Sequence, residues 1–562
     1  MEKVSGSVTI KGMIKGLQIA VRKLHATYFS SAFHFTLIGV GLALRLWHYF
    51  ENRSLWLDEA YVAVQILSKT WQEIFLFYPI LDGPPQSPLG FMVVEKALTD
   101  LCGSSELVLR LFPLICGSAA LVLFYVLLKR FTRPAAVGLA LTLFAFNPRL
   151  IYYSAELKTY SMDVLVSLAL LIAVAGVHRH GYRPRHILGL GLFYASAVWF
   201  SFPSIFFIAS IGIGFLFIKG KRHSRPVFFM LVWALWLINV YALFRLCFQH
   251  MVADKRLLNM WAGSVWQGSI ISFQAMVWLK TVILDAFQDP MAVNFAFITP
   301  LIFLAGSIVL IRRQRLYFYW LILPVIFVLG ASLLGKYPFQ GRMLLFLMPA
   351  FLLVLAEGVT AVASRAKRFS ALIAIVLSGL LLTHPLLRTW GHFRRGFYRE
   401  DNRQAMSYLK QNYQPGDLIC LNKQAFFPFY YYSYRLGFIK FLTVKQKRIN
   451  GEDLYGYPLL GKFDEHFFND ENTLLPFVFA RLFFDEQGRF RKTYRLDVIF
   501  LLSENQNTLR FLGKRRVWLV FLHEPPPSVK KFILNLFARN GARMHFWERQ
   551  GASVYVFDLA RK

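Results

Sequence analysis

Residues 369–386 read FSALIAIVLSGLLLTHPL and follow directly on the basic cluster Arg365–Arg368. A helix of about 20 apolar residues is long enough to cross the hydrocarbon core of a bilayer. Ten further apolar runs lie upstream of this one, at 33–50, 107–128, 134–151, 161–177, 186–200, 203–218, 226–247, 293–311, 316–334 and 343–361. The sequence therefore predicts an all-α membrane domain over residues 33–386 with eleven transmembrane helices.

The overall composition agrees with a membrane protein. Of 562 residues, 56% are hydrophobic and 17% are charged, and the net charge is +32. Soluble domains carry about 25% charged residues, so the composition excludes a soluble enzyme and an intrinsically disordered chain. Apolar runs separate the basic clusters and no nucleic-acid motif accompanies them, so no nucleic-acid partner is predicted. Four scattered cysteines are too few for a disulfide framework.

The positions of lysine and arginine predict the orientation of the chain. They gather in every second connection, namely the tail 1–32 and the segments 129–133, 178–186, 219–225, 312–315 and 365–368. Basic loops stay on the cytoplasmic side, so the N-terminal tail is predicted inside and the C-terminus outside, in the inner or plasma membrane. The long first outer loop, 51–106, holds two predicted interfacial helices, at Leu67–Phe77 and at 86–101, where Glu95, Lys96 and Asp100 argue against a further span.

Beyond Pro385 the pattern changes from apolar runs to alternation, which predicts a periplasmic or extracellular α/β domain over residues 387–562. Helices are predicted at 404–412 and 527–539, strands at 418–421, 497–502 and 517–522, and a hairpin from 543–548 and 553–558. The domain holds 29 Lys and Arg against 16 Asp and Glu. This excess suits an anionic membrane surface or an acidic ligand, and a simple contribution to solubility is the alternative.

The first candidate for chemistry is the pair Asp58-Glu59, directly after the first predicted span. Two adjacent carboxylates can supply a general base and a neighbour that raises its pKa by like-charge repulsion. The alternative is structural, because Asp58 could cap a helix that begins at Glu59. Asp82, later in the same loop, is a candidate sugar or acceptor contact.

Two shorter outer loops carry cations and phenols. In the loop 147–160, Arg149 and Lys158 are candidates for a phosphate, and Tyr153, Glu156 and Tyr160 for sugar or acceptor hydroxyls. An aromatic belt with snorkelling cations is the alternative.

In the loop 335–342, Lys336 and Arg342 are further phosphate candidates and Tyr337 a further sugar contact. Arg342 enters a span from the outside, so it needs a partner, for which a lipid phosphate and a neighbouring carboxylate are the two readings.

A metal site and a nucleotide site have little support in the sequence. His250, in the outer loop 248–292, and Glu156 are weak candidates for a metal, but no ligand spacing such as H-x-x-x-H accompanies them. No phosphate-binding glycine loop is present. No cofactor is therefore predicted with certainty, and a divalent metal is left open.

Several motifs together resemble the GT-C superfamily of membrane glycosyltransferases, in its bacterial branch of protein mannosyltransferase-like and aminoarabinose transferase-like enzymes. The matching segments are Leu57–Ala60, Gly83–Leu89, Glu106 with Arg110–Pro113, Tyr152–Tyr160, Gly341-Arg342 and Glu400–Asn402 with Pro415–Asp417. Pro85-Gln86 stands where the aminoarabinose transferases carry Glu-Lys, which argues against aminoarabinose as the sugar.

The resemblance implies an inverting glycosyltransferase that uses a polyprenyl-phosphate sugar donor at the outer face of the membrane. Asp58 is then the base that deprotonates the acceptor, a hydroxyl or phosphate of a glycolipid such as lipid A, of another glycan or of a protein. Lys158, Arg342 and Arg149 are then the cations that stabilise the leaving lipid phosphate.

A lipid or oligosaccharide transporter, such as a flippase, is the main alternative, and a non-catalytic membrane anchor is a third. A transporter typically has inverted repeats and ionisable residues near the middle of its spans. The sequence shows no repeat, and Asp163 and Arg245 lie near the outer ends of their spans, away from the middle. An anchor has no need of charged, tyrosine-rich residues in three outer loops.

Overall fold

The computed structural model describes residues 31–75, 87–216, 226–248, 261–295, 297–397, 399–414, 417–437, 447–449, 452–454, 477–480 and 516–560. The chain divides into two compact units. The first comprises residues 1–50 and 113–396, and the second comprises 51–112 and 397–562. The predicted tail 1–32 lies almost entirely outside the described residues, as do Asp82, His250 and the predicted strand 497–502.

The regular secondary structure described in the first unit is all helical. Its helices are α1 (Ser31–Phe50), the inner part of α5 (Glu106–Phe131), α6 (Pro134–Ala145), α7 (Pro148–Tyr153), α8 (Tyr160–His180), α9 (Pro184–Phe200), α10 (Ser204–Leu216), α11 (Pro226–Leu243), α12 (Phe273–Gln288), α13 (Ile298–Arg313), α14 (Arg315–Leu333), α15 (Met348–Arg365) and α16 (Ser370–Arg395). A π-helical turn, Phe244–Phe248, extends α11, and short 3₁₀ turns cover Ala262–Ser264, Gly341–Leu347 and Lys367–Phe369.

Each of the eleven apolar runs contains helix among its described residues, and six segments of the described chain are long and apolar enough to cross a membrane. These are Glu106–Phe131, Tyr160–His180, Val227–Leu246, Arg315–Leu333, Gly341–Arg365 and Lys367–Arg395. The run 134–151 is split between α6 and α7, because Asn147 ends one helix and caps the next by accepting from the N–H groups of Arg149 and Leu150. An integral membrane protein is confirmed at this level, while the count of eleven spans stays a prediction.

Two helices of this unit touch backbone to backbone. A Cβ atom at Gly358 on α15 would overlap the carbonyl oxygen of Ile302 on α13, and one at Gly306 would overlap that of Val354. Small residues allow helices to approach this closely where lipid offers no hydrophobic driving force.

Two further ionisable residues are buried within the predicted spans. Glu357 on α15 is fully buried and pairs with Arg133 at 2.7 Å and with Arg313 at 3.5 Å. Arg45 on α1 is fully buried as well. The ionisable residues within the predicted spans therefore include Arg45 and Glu357 as well as Asp163 and Arg245.

The second unit combines the segment 51–112 with the C-terminal part of the chain, 397–562. Its helices are α2 (Leu57–Ser68), α3 (Trp71–Phe75), α4 (Leu89–Cys102), the first turns of α5, α17 (Asn402–Asn412), α18 (Phe426–Arg435) and α19 (Pro527–Asn540). The predicted helix 86–101 is confirmed as α4, while the predicted helix Leu67–Phe77 is interrupted where α2 ends at Ser68. Glu95 on α4 is fully buried, and burial raises its pKa well above the usual range.

The C-terminal part forms a sheet of five strands in the order β4-β1-β5-β7-β6. The strands are β1 (Leu418–Asn422), β4 (Phe477–Ala480), β5 (Arg516–Phe521), β6 (Ala542–Arg549) and β7 (Ala552–Asp558), and β2 (Lys447–Ile449) pairs separately with β3 (Glu452–Leu454). Only the β1–β5 pair is parallel among these strands. Ile533 and Phe537 of α19 pack on one face of the sheet, against Leu519 and Tyr555. The predicted α/β elements at 404–412, 418–421, 517–522, 527–539 and the hairpin are confirmed.

Candidate functional site

The adjacent carboxylates Asp58 and Glu59 lie in different environments within the second unit. Helix α2 begins at Leu57, and Trp56 is its N-cap residue, so Asp58 lies in the first turn and is not the cap. Glu59 is fully buried and accepts two hydrogen bonds from Arg110, at 2.8 and 2.6 Å. Asp58 is half-buried. The ion pair with Arg110 indicates that Glu59 stabilises the start of α2. Of the two carboxylates, Asp58 is therefore the candidate for chemistry.

The loop that leads into α2 is fixed by residues from the start of the C-terminal domain. The backbone N–H of Leu57 donates to Glu400 Oε2 at 3.0 Å, and the same oxygen accepts from Asn402 Nδ2 at 2.8 Å. Asn402 also donates to the carbonyl of Leu55 at 2.9 Å. The N–H of Leu55 in turn donates to the hydroxyl of Tyr432. These bonds restrain the backbone of Leu55 and Leu57, which leads into Asp58.

His523 adds an imidazole beside Asp58. Its Nδ1 lies 2.6 Å from Glu400 Oε1, and this hydrogen bond, together with the negative charges of Glu400 and Asp58, raises the pKa of His523 although partial burial opposes the effect. By reciprocity the imidazolium favours the ionised form of Asp58.

Sequence reasoning missed His523, Arg110 as the partner of Glu59, and the function of Glu400. The segment Glu400–Asn402 was noted as a motif but had no role. His523 is a single histidine after strand β5, in the sequence His523-Glu524-Pro525, and no spacing connects it with Asp58. Only the fold brings these residues together.

In the first unit, the tyrosine-rich loop and the Gly341-Arg342 segment lie in contact. The guanidinium carbon of Arg342 is 5.8 Å from the ring centre of Tyr160 and 5.5 Å from that of Trp261. The rings of Tyr153 and Tyr160 meet edge to face, with 4.8 Å between their centres. Arg342 thus lies against two aromatic rings at distances typical of cation–π contacts.

Other predicted residues of this unit surround the same contact. The pKa of Tyr337 is raised well above its usual range, mainly by burial and to a smaller extent by the charges of the nearby Asp163 and Tyr160. Its phenol therefore stays protonated. The hydroxyl of Tyr337 donates to the carbonyl of Met343. Glu156 is fully buried, and Lys158, two residues on, is half-buried with its N–H bonded to the Glu156 carbonyl.

Two predicted phosphate ligands lie in other surroundings. Arg149 makes a two-pronged ion pair with Asp289, at 2.8 and 2.6 Å, and both side chains are about one-third exposed (34% and 38%). Lys336 is exposed. A role for Arg149 on a phosphate stays a prediction, and it requires the guanidinium to be shared with Asp289 or released from it.

Arg45 is a buried cation that the sequence analysis overlooked, although a charge within a predicted span is by itself a signal of function. Its Nη1 donates to the carbonyl of Gly41 at 2.9 Å, whereas Nε and Nη2 have no hydrogen-bond partner among the described residues. A cavity of about 10 Å³ lies between Arg45, Tyr153, Tyr160 and Ser161. This is about the space that one water molecule needs, and such a water can accept hydrogen bonds from Nε and Nη2 of Arg45.

Candidate metal ligands do not come together in the part of the chain that is described. No group of three His, Cys, Asp or Glu side chains there is close enough to hold an ion. Of the two weak candidates, Glu156 is buried in its loop and His250 lies outside the described residues.

Comparison with known proteins extends the resemblance noted in the sequence. Residues 86–244 match the family model described as dolichyl-phosphate-mannose-protein mannosyltransferase. This match confirms the predicted resemblance to the GT-C membrane glycosyltransferases. No curated protein matches the chain by sequence.

Solved structures with a similar course of the chain share little sequence with it. ArnT from Cupriavidus metallidurans in the apo state is 12% identical, with a TM-score of 0.48, and 94% of this chain covers 98% of that one. ArnT bound to undecaprenyl phosphate is 11% identical, with a TM-score of 0.47 over the same shares. The Archaeoglobus fulgidus oligosaccharyltransferase complex with Zn and sulfate is 12% identical, with a TM-score of 0.45, over 68% of this chain and 56% of that one. This chain thus spans just over half the length of the archaeal enzyme.

Proposed function

We propose that this protein is an inverting glycosyltransferase that takes a sugar from a polyprenyl-phosphate donor at the outer face of the membrane. The acceptor is a hydroxyl or phosphate of a glycolipid, a glycan or a protein. The observation that carries the proposal is the separation of the two adjacent carboxylates: Arg110 takes up Glu59, while Asp58 lies half-buried beside His523 on a loop fixed by Glu400 and Asn402. The match of residues 86–244 to a family named for a polyprenyl-phosphate sugar supports the donor class.

Asp58 is the proposed general base. The acceptor oxygen attacks the anomeric carbon from the face opposite the phosphate, its proton passes to the Asp58 carboxylate, and the carbon–oxygen bond to the phosphate breaks. A single displacement of this kind inverts the anomeric centre, as in other inverting sugar transfers in which one carboxylate acts as base. General-base catalysis contributes roughly 10²–10⁴-fold to a rate.

Lys158 and Arg342 are the proposed ligands of the donor phosphate. The leaving polyprenyl phosphate gains negative charge as the bond breaks, and fixed cations at this point lower the barrier. Arg342 suits the role because its planar group can bind two phosphate oxygens, and the rings of Tyr160 and Trp261 lie beside it. Tyr153, Tyr160, Tyr337 and Glu156 are the proposed contacts to sugar or acceptor hydroxyls.

The test is transfer by the full-length protein in detergent, with a panel of radiolabelled polyprenyl-phosphate sugars and washed membranes as the source of acceptor. Asp58→Asn is expected to lower transfer by roughly 10²–10⁴-fold, because the amide cannot accept the proton. Glu59→Gln is expected to lower thermal stability, because it leaves Arg110 buried without its counter-charge.

Asp100→Asn is the matched control, since Asp100 is a partly exposed acid of the same unit that pairs with Lys96. It is expected to leave transfer unchanged. Near-wild-type transfer by Asp58→Asn would remove the general-base assignment.

A further inference from the structure

A long groove lies on the C-terminal domain between helix α19 and the edge strand β6. Its volume is about 630 Å³, within the range of ligand-binding sites. Lys530, Lys531 and Leu534 line it from the helix, and Arg543, Glu548 and Arg549 line it from the strand. Arg543 and Arg549 are six residues apart on an extended strand, so the groove is about 20 Å long.

The floor of the groove is a fixed polar network. Lys530 Nζ donates to Glu524 at 3.0 Å and to Glu548 Oε1 at 2.7 Å, and the hydroxyl of Tyr555 donates to Glu548 Oε2 at 2.8 Å. The hydrogen bond from Lys530 lowers the pKa of Glu548, which keeps this carboxylate ionised. Carboxylates held in place accept hydrogen bonds from hydroxyl groups.

The remaining cations of the groove are exposed. Lys531, Arg543 and Arg549 form no hydrogen bond or ion pair with the residues that the structure describes. Arg543 stacks on the ring of Phe546, and the charge of Arg549 acts on Asp401, whose pKa it lowers against the larger effect of burial. With two acids and four cations in its lining, the groove carries a net charge of +2. Its positive charge is spread along its length and is not concentrated at one point.

We propose that this groove binds an acidic oligosaccharide, a sugar chain with a carboxylate or phosphate on more than one residue. The separated cations fit repeated anionic groups, and the carboxylates of the floor fit the hydroxyls between them. A flat anionic bilayer fits less well, because it touches the rim of a concave site and is repelled by Glu524 and Glu548.

One end of the groove adjoins the residues that hold Asp58. Glu524, which lines the groove, follows His523 in the sequence, and Gly551, at the same end, packs on Glu400. The bound chain is therefore the acceptor or a part of it. This last step rests on the proposed transferase, whereas binding to the groove does not.

The experiment is binding of tetragalacturonate to the full-length protein in an uncharged detergent, without donor, by isothermal titration. Maltotetraose is the neutral counterpart, inorganic phosphate tests a simple anion site, and phosphatidylglycerol vesicles test a membrane surface. We expect tetragalacturonate to bind and maltotetraose to bind at least tenfold more weakly. We also expect Arg543→Gln with Arg549→Gln together to weaken binding of tetragalacturonate roughly tenfold, because exposed charged contacts are each worth a few-fold.

Arg539→Gln is the matched control, because Arg539 is an exposed arginine of α19 outside the groove. Thermal unfolding of each variant shows that the domain is folded, and Lys531→Glu gives a second, charge-reversing change. Equal binding of both tetrasaccharides, an equal loss in Arg539→Gln, or binding of phosphate or vesicles alone overturns the proposal. Binding without any transfer of sugar to the chain keeps the groove and refutes its role as the acceptor site.

Discussion

At the scale of single residues, the environments of Asp58 and Glu59 explain how one carboxylate of an adjacent pair is reserved for chemistry. Glu59 shares a buried two-pronged ion pair with Arg110, and Arg110 also donates to the carbonyl of Arg53 at 2.7 Å. Removing one partner of such a pair costs about 3–5 kcal/mol, because the other charge stays buried. Two measurements therefore distinguish the substitutions: Glu59→Gln is expected to lower thermal stability, and Asp58→Asn is expected to lower turnover.

His523 makes the environment of Asp58 sensitive to pH. Its raised pKa means that the imidazolium contact with Glu400 contributes stability in full below the unfolded-state pKa of about 6.5. This contribution is lost as the pH rises through the higher pKa of the folded protein. We expect His523→Gln to abolish the pH dependence of thermal stability in that window.

The same substitution is expected to move the acid limb of the kcat/KM profile to higher pH, because the imidazolium no longer favours the Asp58 carboxylate. His180→Gln is the control, since His180 is an exposed histidine of the first unit. An acid limb that stays in place in His523→Gln would show that His523 acts on the fold alone.

Lys158 and Arg342 are tested through the phosphate of the donor. Each alanine substitution is expected to lower donor efficiency roughly ten- to a hundredfold, since a hydrogen bond to a charged group is worth about 1.5–3 kcal/mol. The double variant is expected to lose less than the sum, because two groups on one ligand are coupled. Arg342→Lys is expected to fall between wild type and Arg342→Ala, because it keeps the charge and loses the planar fork.

Donor-analogue affinity, measured for all of these variants, decides the assignment. Arg312→Ala is the control, because Arg312 is an exposed arginine at the end of α13 in the same unit. Unchanged affinity in Arg342→Ala would limit Arg342 to its contacts with Tyr160 and Trp261.

At the scale of elements, the close packing of α13 on α15 depends on two glycines. An alanine at Gly358 would overlap the backbone of Ile302, so the helices would have to separate. We expect Gly358→Ala to destabilise the protein by about 1–3 kcal/mol, the usual cost of overpacking. Gly330→Ala is the control: nothing lies within 4 Å of its added methyl group, and alanine favours a helix by about 1 kcal/mol. Thermal unfolding in detergent compares them, and equal midpoints would contradict the packing.

The sequence was sufficient for elements but not for the contacts between them. Runs of apolar residues located the helices, and alternation with turn residues located β1, β5, α19 and the hairpin, because burial on one side or on all sides leaves a periodic trace. The pairing of Glu59 with Arg110, of Glu400 with His523 and of Glu357 with Arg133 leaves no such trace. These partners are from about 50 to more than 200 residues apart in sequence, and only folding brings them together.

The same limit applies to the candidate site. Asp58, Arg342, Tyr153, Tyr160 and Tyr337 were chosen from the sequence because polar residues at the ends of apolar runs are costly unless used. The Asp289 partner of Arg149 could not be foreseen, because it lies 140 residues further along the chain. Arg45 could be identified as a candidate from the sequence, because a charged residue within an apolar run is costly unless it has a function.

At the scale of the whole molecule, the remaining question is the orientation of the chain in the membrane. The positive-inside pattern predicts an odd number of spans with the N-terminus inside, so residues after α16 lie outside. Cys102 is exposed on α4, in the predicted outer loop, and offers a native probe. We expect a membrane-impermeant maleimide to label Cys102 in intact cells, and in a background with all four cysteines replaced by serine to label Ser528→Cys, an exposed position at the start of α19.

In the same background Arg312→Cys and Arg368→Cys are expected to react only after the membrane is permeabilised, because both lie in basic segments predicted inside. The positions predicted outside, 102 and 528, and those predicted inside, 312 and 368, are controls for each other. All four are exposed in the structure, so they differ only in the side of the membrane on which they are predicted to lie. Labelling of Arg312→Cys in intact cells would reverse the parity of the spans between α1 and α13. Asp58, which follows α1, and Arg342, which lies beyond α14, would then be on opposite sides of the membrane. The proposed transfer, which needs both residues at the outer face, would fail with the topology.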